Sequence, residues 1–394
     1  MEKRQATIVA AARTPIGSFC GSLKDIPAPR LGGIAIRGAL DRTPLPESLL
    51  DEVFMGCAIQ AGVGQSPARQ AALEAGLPES LPATTVNKVC ASGLKAVMLA
   101  AQSIEVGDNR AVIAGGMENM SRVPHYLFSG RMGQKLGDTN LTDGLLRDGL
   151  TDALSGRHMG LCGEACAQAH GITRKEQDDF AIESYTRAQA AWAEGAFAKE
   201  IVPVPVTDRK GNTGYVERDE EYTNAKIEKI PLLRPAFSKE GTITAANAST
   251  INDGAAAMLL LERELAESQG LRPLARIVSY ADAAQAPQDF PTSPALAVRK
   301  ALAKAGLKEH DIDYWEINEA FSVVGIANTR LLGLDAAKVN VLGGGVSLGH
   351  PLGASGARIV VTLLTVLERK NARLGCATIC NGGGGASALI IERL

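Results

Sequence analysis

Aromatic side chains are scarce in this 394-residue sequence: Phe, Trp and Tyr fill 4% of positions, and only two residues are tryptophan. Such a composition argues against aromatic stacking platforms. The formal net charge is −2, so no electrostatic footprint points to nucleic acid or to a membrane surface. No apolar run is read as reaching the length of a membrane span. The seven cysteines (Cys20, Cys57, Cys90, Cys162, Cys166, Cys376, Cys380) are odd in number and no secretory signal precedes them, which argues for reduced thiols rather than a disulfide framework. The spacings Cys162-x3-Cys166 and Cys376-x3-Cys380 lack the paired pattern of a zinc site. A strand-like segment begins at 6–10, leaving no room for a transit peptide, and Glu392-Arg393-Leu394 is not a peroxisomal address. The expectation is a cytoplasmic protein.

What the chain does have is glycine, 42 residues of it, in a balance of 45% apolar and 21% charged residues that suits a soluble globular protein of two or three domains. Short apolar runs at 6–11, 52–58, 83–89 and 111–116 alternate with helical patterns near 29–41, 66–76 and 91–106. This rhythm predicts βαβ units around a largely parallel, buried sheet. The stretch 120–249 is richer in charge and turn residues and reads as an inserted lobe. It contains a disordered-looking 129–142, then two amphipathic helices, the second opening with the capping box Thr173-x-x-Glu176, and a charged run at 209–229. From about 272 the first rhythm returns. Ala275-Arg276-Ile277-Val278 echoes Ala6-Thr7-Ile8-Val9, and Asp313 to Ile317 echoes Asp51 to Met55. Gly353-Ala354-Ser355-Gly356 echoes Cys90-Ala91-Ser92-Gly93, and Ala377 to Cys380 echoes Ala111 to Ala114. Four matches in one order argue for two similar halves, 1–119 with 250–271 and 272–394, whose strand-to-helix turns meet at one interface.

At the first such turn, Val86 to Lys95, a β-branched run leads into Cys90 and small residues then enter a helix with Leu94, Val97, Met98, Ala101 and Ile104 on one face. A thiol at a helix N-terminus is expected to ionise more readily than its free form, by roughly one to several units. The alternative is a buried cysteine acting as a small apolar side chain. The mirror-image turn carries Gly343-Gly344-Gly345 and then His350, one of only five histidines, placed to act as a general base or simply to cap its own turn. Cys380-Asn381-Gly382-Gly383-Gly384-Gly385 lacks the Lys-Ser/Thr of a P-loop. Its backbone could donate to a developing oxyanion, with Cys380 as a second titratable group, or could be a tight turn between two core strands. Asn318-Glu319-Ala320-Phe321 could bring an amide to the same cleft or merely form a turn.

These blocks, together with Gly115 to Ser121 and Asn252 to Ala256, resemble the thiolase family in order and spacing over essentially the whole chain. Within it they look like the short-chain acetyl-CoA acetyltransferases (acetoacetyl-CoA thiolases). The resemblance implies the thiolase fold, two βαβ-type halves in a five-layer α/β/α/β/α core plus an inserted loop domain at 120–249. It implies ping-pong interconversion of two acetyl-CoA with acetoacetyl-CoA and coenzyme A, with no permanently bound cofactor. Carried over by residue, Cys90 would be the nucleophile and His350 the base. Cys380 would be the acid/base at the substrate α-carbon. One oxyanion hole would use His350 and a water held by Asn318, the other the backbone N–H groups of Cys90 and Gly382. Coenzyme A would lie near His158, Met159, Phe237, Ser249, Phe290 and Phe321, with Lys229 as a phosphate contact. Asn224 stands where relatives often have arginine.

Phe290-Pro291 and Cys380-Asn381-Gly382 resemble the potassium-activated mitochondrial and cytosolic members, which would put the cation near Tyr185, Ala245, Ala246, Ala248 and Val346. The resemblance further implies a homotetramer built as a dimer of dimers, with contacts from 124–143. Competing readings are a degradative 3-ketoacyl-CoA thiolase of broader chain length, a ketosynthase, which Cys380 disfavours, and a non-catalytic acyl-CoA-binding scaffold.

Overall fold

The computed structural model describes residues 4–207 and 210–394. The first half contributes β1 (Ala6–Arg13), α1 (Ala28–Leu40), β2 (Glu52–Gly56), α2 (Pro67–Glu74), β3 (Ala83–Val86), α3 (Ser92–Val106) and β4 (Ala111–Asn119). The lobe adds α4 (Met159–Ala169) and α5 (Arg174–Ala193), and the chain returns to the first half with β5 (Asn252–Glu262). The second half follows as β6 (Ala275–Ala284), α6 (Ser293–Ala305), β7 (Tyr314–Ile317), α7 (Ser322–Leu332), α8 (Leu352–Arg369), β8 (Leu374–Asn381) and β9 (Gly385–Arg393).

The strands run β3-β2-β4-β5-β1 in one half and β6-β9-β8-β7 in the other. The two orders mirror each other about the β1/β6 seam, which is hydrogen-bonded at only two residue pairs, Thr7 with Arg276 and Ile8 with Ala275. Even the irregularities repeat. The pairing of β1 slips between Ile8 and Ala10 and that of β6 between Ile277 and Ser279, so the bulged residues are Val9 and Val278, which the internal echo aligns. The expected largely parallel sheet is corrected here. Only β2/β3, β2/β4 and β7/β8 are parallel; β1/β5, β4/β5, β6/β9, β8/β9 and the seam are antiparallel. Both faces of β1 and β5 are covered, so their apolar runs are continuous, and a continuous run carries no information about strand direction.

Helices α1 and α2 pack outside the first sheet and α6 outside the second, while α3 and α8 lie between the sheets. The central layer joins Leu94, Val97, Met98 and Ile104 of α3 to Ile359, Val360 and Leu363 of α8 and to strands of both halves. The segment Val89–Val106 has the length and composition of a membrane span, contrary to the expectation that none exists, but its apolar face is the one buried in this layer. The two helices can cross closely because glycines line the contact. A Cβ on Gly356 would overlap Leu94, and one on Gly93 would lie 2.9 Å from the Gly353 carbonyl oxygen.

In 120–249, the fourteen residues 129–142 expected to be disordered form a mostly exposed excursion with a turn at Gly130–Met132. Its base is zipped by pairing of His125–Tyr126 with Thr142–Asp143. The capping box forms as its sequence dictates, Glu176 accepting from the Thr173 N–H at 2.7 Å, and α5 then runs to Ala193. Of the charged run 209–229, residue 209 lies outside the described residues.

Candidate active site

The two strand-to-helix turns converge where α3 and α8 begin. Ahead of α3, Val89 has φ +49°, a left-handed backbone that a β-branched residue adopts at a cost of about 1–3 kcal/mol. The loop over-determines it. Val89 N–H donates to Asn87 Oδ1 at 3.0 Å, its carbonyl accepts from Ser92 Oγ at 2.6 Å, and Asn87 Nδ2 reaches the Ala58 carbonyl at 3.0 Å. Half-buried Cys90 follows. Its sulfur receives backbone N–H groups from Gly382 and from Cys90 itself, yet burial dominates and pushes the thiol up to about 12. This corrects the expectation of a lowered pKa. The helix N-terminus is present, but removing the sulfur from water outweighs it, so at rest Cys90 is a neutral thiol.

His350 is buried, and burial, with the nearby Arg358 charge, lowers its pKa to about 3. Its tautomer follows from its neighbours. Ser355 donates its only hydroxyl hydrogen to the Pro351 carbonyl at 2.8 Å, so the 2.6 Å contact between Ser355 Oγ and His350 Nδ1 must be an Nδ1–H donation. Nε2 therefore carries the lone pair, 3.4 Å from Asn318 Nδ2. The His350 main chain is fixed by its own N–H to Asn252 Oδ1 at 2.8 Å. Asn318 Oδ1 is buried without a partner, so it retains an acceptor for a water.

The strands β8 and β9 are joined by 382–384, where Gly383 and Gly384 have φ +84° and +87°, open only to glycine. The hairpin is a tight turn between core strands, and its Gly382 N–H reaches the Cys90 sulfur. Cys380 is fully buried just before it, and burial together with the neighbouring Cys90 raises its pKa. Met159, Phe290, Phe321 and Cys380 share one apolar cluster against which Phe237 packs. The His158 ring stacks on Phe237 at 4.7 Å, Phe237 meets Phe321 edge-on at 6.2 Å, and Ser249 N–H is tied to the Ala320 carbonyl at 3.0 Å. A cleft of about 570 Å³ opens above, lined by Asn87, Val89, Gly149, Met159, Gly382 and others. Lys229 stands exposed on the Ile227–Leu232 turn, and among the described residues no hydrogen bond or ion pair joins its side chain to the cleft. Tyr185 and Val346 are buried together with Ala246 against them; Ala248 lies with the Phe321 cluster.

Three further residues complete the frame. Glu118, at the end of β4, is buried and accepts from Ala58 N–H at 2.9 Å, Ile59 N–H at 3.3 Å and Gly353 N–H at 2.8 Å, clamping the first half to the start of α8. Ser355 and Asn252 hold His350 as described. Each stands inside a quoted motif, but in sequence a buried polar residue among small ones looks the same as a turn former.

A family profile described as the N-terminal domain of thiolase matches residues 6–264, and one described as its C-terminal domain matches 271–393. The chain is 53% identical to an acetyl-CoA acetyltransferase of Schizosaccharomyces pombe over 395 residues, covering 100% of both chains. It is also 53% identical to acetyl-CoA acetyltransferase 1 of Arabidopsis thaliana, covering 100% of this chain and 95% of that one. Among solved structures, the Acat5 thiolase from Ascaris suum in complex with coenzyme A superposes with a TM-score of 0.94 at 47% identity, over 99% of this chain and 100% of that chain. The acetyl-CoA acetyltransferase of Bacillus anthracis does so with 0.97 at 40%, over 100% and 99%.

Proposed function

The chain belongs to the thiolase family, and from that premise we propose that it is an acetyl-CoA C-acetyltransferase, interconverting two acetyl-CoA with acetoacetyl-CoA and coenzyme A through an acyl-Cys90. The observation that supports this reading is that the Cys90 sulfur receives the Gly382 N–H and neighbours the second thiol, Cys380, at the start of α3, while His350, with its lone pair on Nε2, stands at the start of α8, the helix packed on α3.

In the thiolysis direction, the Cys90 sulfur adds to the 3-keto carbon of acetoacetyl-CoA while its proton passes to His350 Nε2. The C2–C3 bond then breaks, leaving an acetyl thioester on Cys90 and an enolate of acetyl-CoA. The enolate carbon takes the Cys380 proton. Incoming coenzyme A returns a thiol proton to Cys380 and attacks the acetyl group, and His350 gives its proton back to the Cys90 sulfur. Both attacks develop charge on the former 3-keto oxygen, and breaking the C2–C3 bond develops it on the thioester oxygen of the enolate. Pre-aimed donors (Cys90 and Gly382 N–H at one, His350 with an Asn318-held water at the other) lower such barriers by about 3–4 kcal/mol each. No step needs a permanent cofactor.

The segment 120–249 serves as the coenzyme A lobe. The His158–Phe237 stack, with Met159 and Ser249 beside it, supports that assignment, and Phe290 and Phe321 would wall the acyl end. The same segment would carry contacts of a homotetramer. Tyr185, Ala246 and Val346, with Ala245 and Ala248 close in sequence, offer only oxygen donors, and Glu221 and Glu319 raise the Tyr185 pKa after burial does. Such a donor set fits a hard monovalent cation like potassium, which would steady the two backbone segments it joins. A cytoplasmic site of action accords with the cytosolic enzyme of Gibberella zeae, 52% identical, although mitochondrial relatives such as that of Bos taurus are equally similar.

Intact-mass spectrometry after brief exposure to acetoacetyl-CoA without free coenzyme A tests the mechanism. An acetyl-sized adduct on wild type and none on Cys90→Ala is expected. Its absence from folded, coenzyme A-binding protein would sink the reading in favour of a scaffold.

A further inference from the structure

Lys88 lies two residues before Cys90, yet its ammonium reaches into the other half of the molecule. It donates to Asp282 Oδ1 at 2.6 Å, to Ser387 Oγ at 2.8 Å and to the Ala386 carbonyl at 3.1 Å, which uses all three of its protons. The acceptors are themselves braced. Ser387 Oγ donates to Asp282 Oδ1 at 2.6 Å, and Lys95 of α3 holds Asp282 Oδ2 at 2.7 Å. Burial alone would raise the Asp282 pKa, but Lys88, Lys95 and Ser387 bring it down to about 2, so the carboxylate end of the clamp stays charged at neutral pH, while burial lowers the Lys88 pKa and Asp282 opposes that fall.

The two ends of this clamp are the two segments that supply backbone N–H groups to the Cys90 sulfur. On one side Lys88 begins the strained turn through Val89 to Cys90, and its own N–H is tied to Ser92 Oγ at 2.8 Å. On the other, Ala386 and Ser387 open β9 directly after the 382–384 turn that presents the Gly382 N–H. The donors come from different halves, and the β1/β6 seam that joins those halves is only two residue pairs long. Nothing in either half alone fixes the gap between them; Lys88 spans it.

We propose that Lys88 is a positioning residue that sets the spacing between the Cys90 and Gly382 N–H groups by bridging the nucleophile turn to Asp282, Ala386 and Ser387. The proposal rests on the acyl-Cys90 reading above. Lys88 acts through the backbone it holds, not on the substrate. Its removal therefore weakens donors aimed at the transition-state oxygen while leaving coenzyme A binding alone, a loss in kcat rather than in KM.

The test uses the full-length enzyme and compares wild type with Lys88→Met, Lys88→Arg and Ser387→Ala. Lys88→Met keeps the apolar stem and leaves Asp282 paired with Lys95 and Ser387. We expect its thiolysis kcat to fall about 100-fold, the scale of an ångström-sized misplacement. KM for coenzyme A and the melting temperature should stay near wild type. Lys88→Arg keeps the charge and, with five N–H donors, can still reach Asp282 and the start of β9, so it should recover part of the kcat lost in Lys88→Met; a Lys88→Met loss that appears in KM for coenzyme A rather than in kcat overturns the proposal. So does a Lys88→Met kcat within about threefold of wild type, or a loss that merely tracks the unfolded fraction. Should Lys88→Met not fold, Ser387→Ala decides on the same criteria, with a smaller loss in kcat expected. A wild type that forms no acetyl-Cys90 would instead refute the enzymatic reading itself, so the two failures are distinguishable.

Discussion

Gly116 of β4 faces the carbonyl of Gly353 so closely that a methyl group at position 116 would overlap the oxygen. Gly353 is in the first turn of α8, three residues after His350, and the Glu118 carboxylate holds its N–H from the same strand. Gly116→Ala must therefore push α8 away from the first sheet or bend β4. It is expected to destabilise the fold by about 1–3 kcal/mol, the usual range for overpacking, and to reduce turnover even where the protein remains folded. Urea unfolding followed by tryptophan fluorescence, with activity measured well below the transition, separates the two effects.

Ser355 sets which nitrogen of His350 is basic. In Ser355→Ala the Nδ1–H loses its acceptor and the imidazole is free to adopt the other tautomer, which would put a proton where the lone pair must face Cys90. We expect kcat to fall by about 10- to 100-fold, part of the contribution a placed base makes, with KM little changed. Acetylation of Cys90 in a single turnover should slow by the same factor; an unchanged burst would show that the hydroxyl has no part in holding the base.

Glu316 of β7 is buried with Oε1 unpartnered, 3.5 Å from Arg358 through the other oxygen. Burial raises its pKa from 4.5 to about 8, with Arg358 opposing and Glu319 and Glu200 reinforcing the rise. A carboxyl whose folded pKa is raised stabilises the protein fully below its unfolded pKa and loses that contribution as pH climbs through the folded one. Stability is thus expected to decline between about pH 4.5 and 8 on this account, most steeply in the middle of that window, and to level off above it. Glu118, raised by burial to about 7, acts in the same direction. Buried neutral His350, with its pKa lowered to about 3, opposes them, its contribution being complete above its unfolded value and lost as pH falls toward 3. Glu316→Gln should flatten the decline in melting temperature between about pH 4.5 and 8 relative to wild type while leaving the slope below pH 4.5 unaltered. Parallel curves across pH 4.5 to 8 would refute the assignment.

His158 caps α4 through Nδ1, which accepts the Gly160 N–H at 3.0 Å, and its ring stacks on Phe237. His158→Ala removes both features at the mouth of the cleft rather than at its floor. KM for coenzyme A is expected to rise by about tenfold, in line with losing one well-packed contact and a helix cap, with kcat falling far less. Initial rates across a coenzyme A series test this. A fall in kcat at constant KM would move His158 from binding into the chemistry.

Much of this arrangement was legible in the sequence because its markers are local. A cysteine between a β-branched run and small residues, a histidine after glycines and four glycines after a strand each announce a turn that only certain backbones can make. The repeated motifs lie in order along the chain, so the two-half architecture could be read directly, whereas the paired bulges at Val9 and Val278 show only in the strand registers. Strand direction could not, because fully buried strands such as β1 and β5 carry the same apolar run whichever way they point. The ionisation of Cys90 was also beyond reach. It depends on how much water the opposite half excludes, a quantity no stretch around Cys90 encodes. Lys88, Glu118, Asn252 and Ser355 escaped for the same reason, since their partners lie 5 to 299 residues away and only the fold brings them within bonding distance.

The β1/β6 seam has a consequence for what the halves are worth apart. On the proposed mechanism one half owns the nucleophile and the other the base, the second thiol and the Gly382 donor, and the seam adds little hydrogen bonding to keep them together. Catalysis therefore belongs to the pairing and to neither partner. A chain severed in the connection at 269–274 would yield two catalytically mute fragments, and the return of turnover on mixing them would report their reassembly more sensitively than any probe of secondary structure.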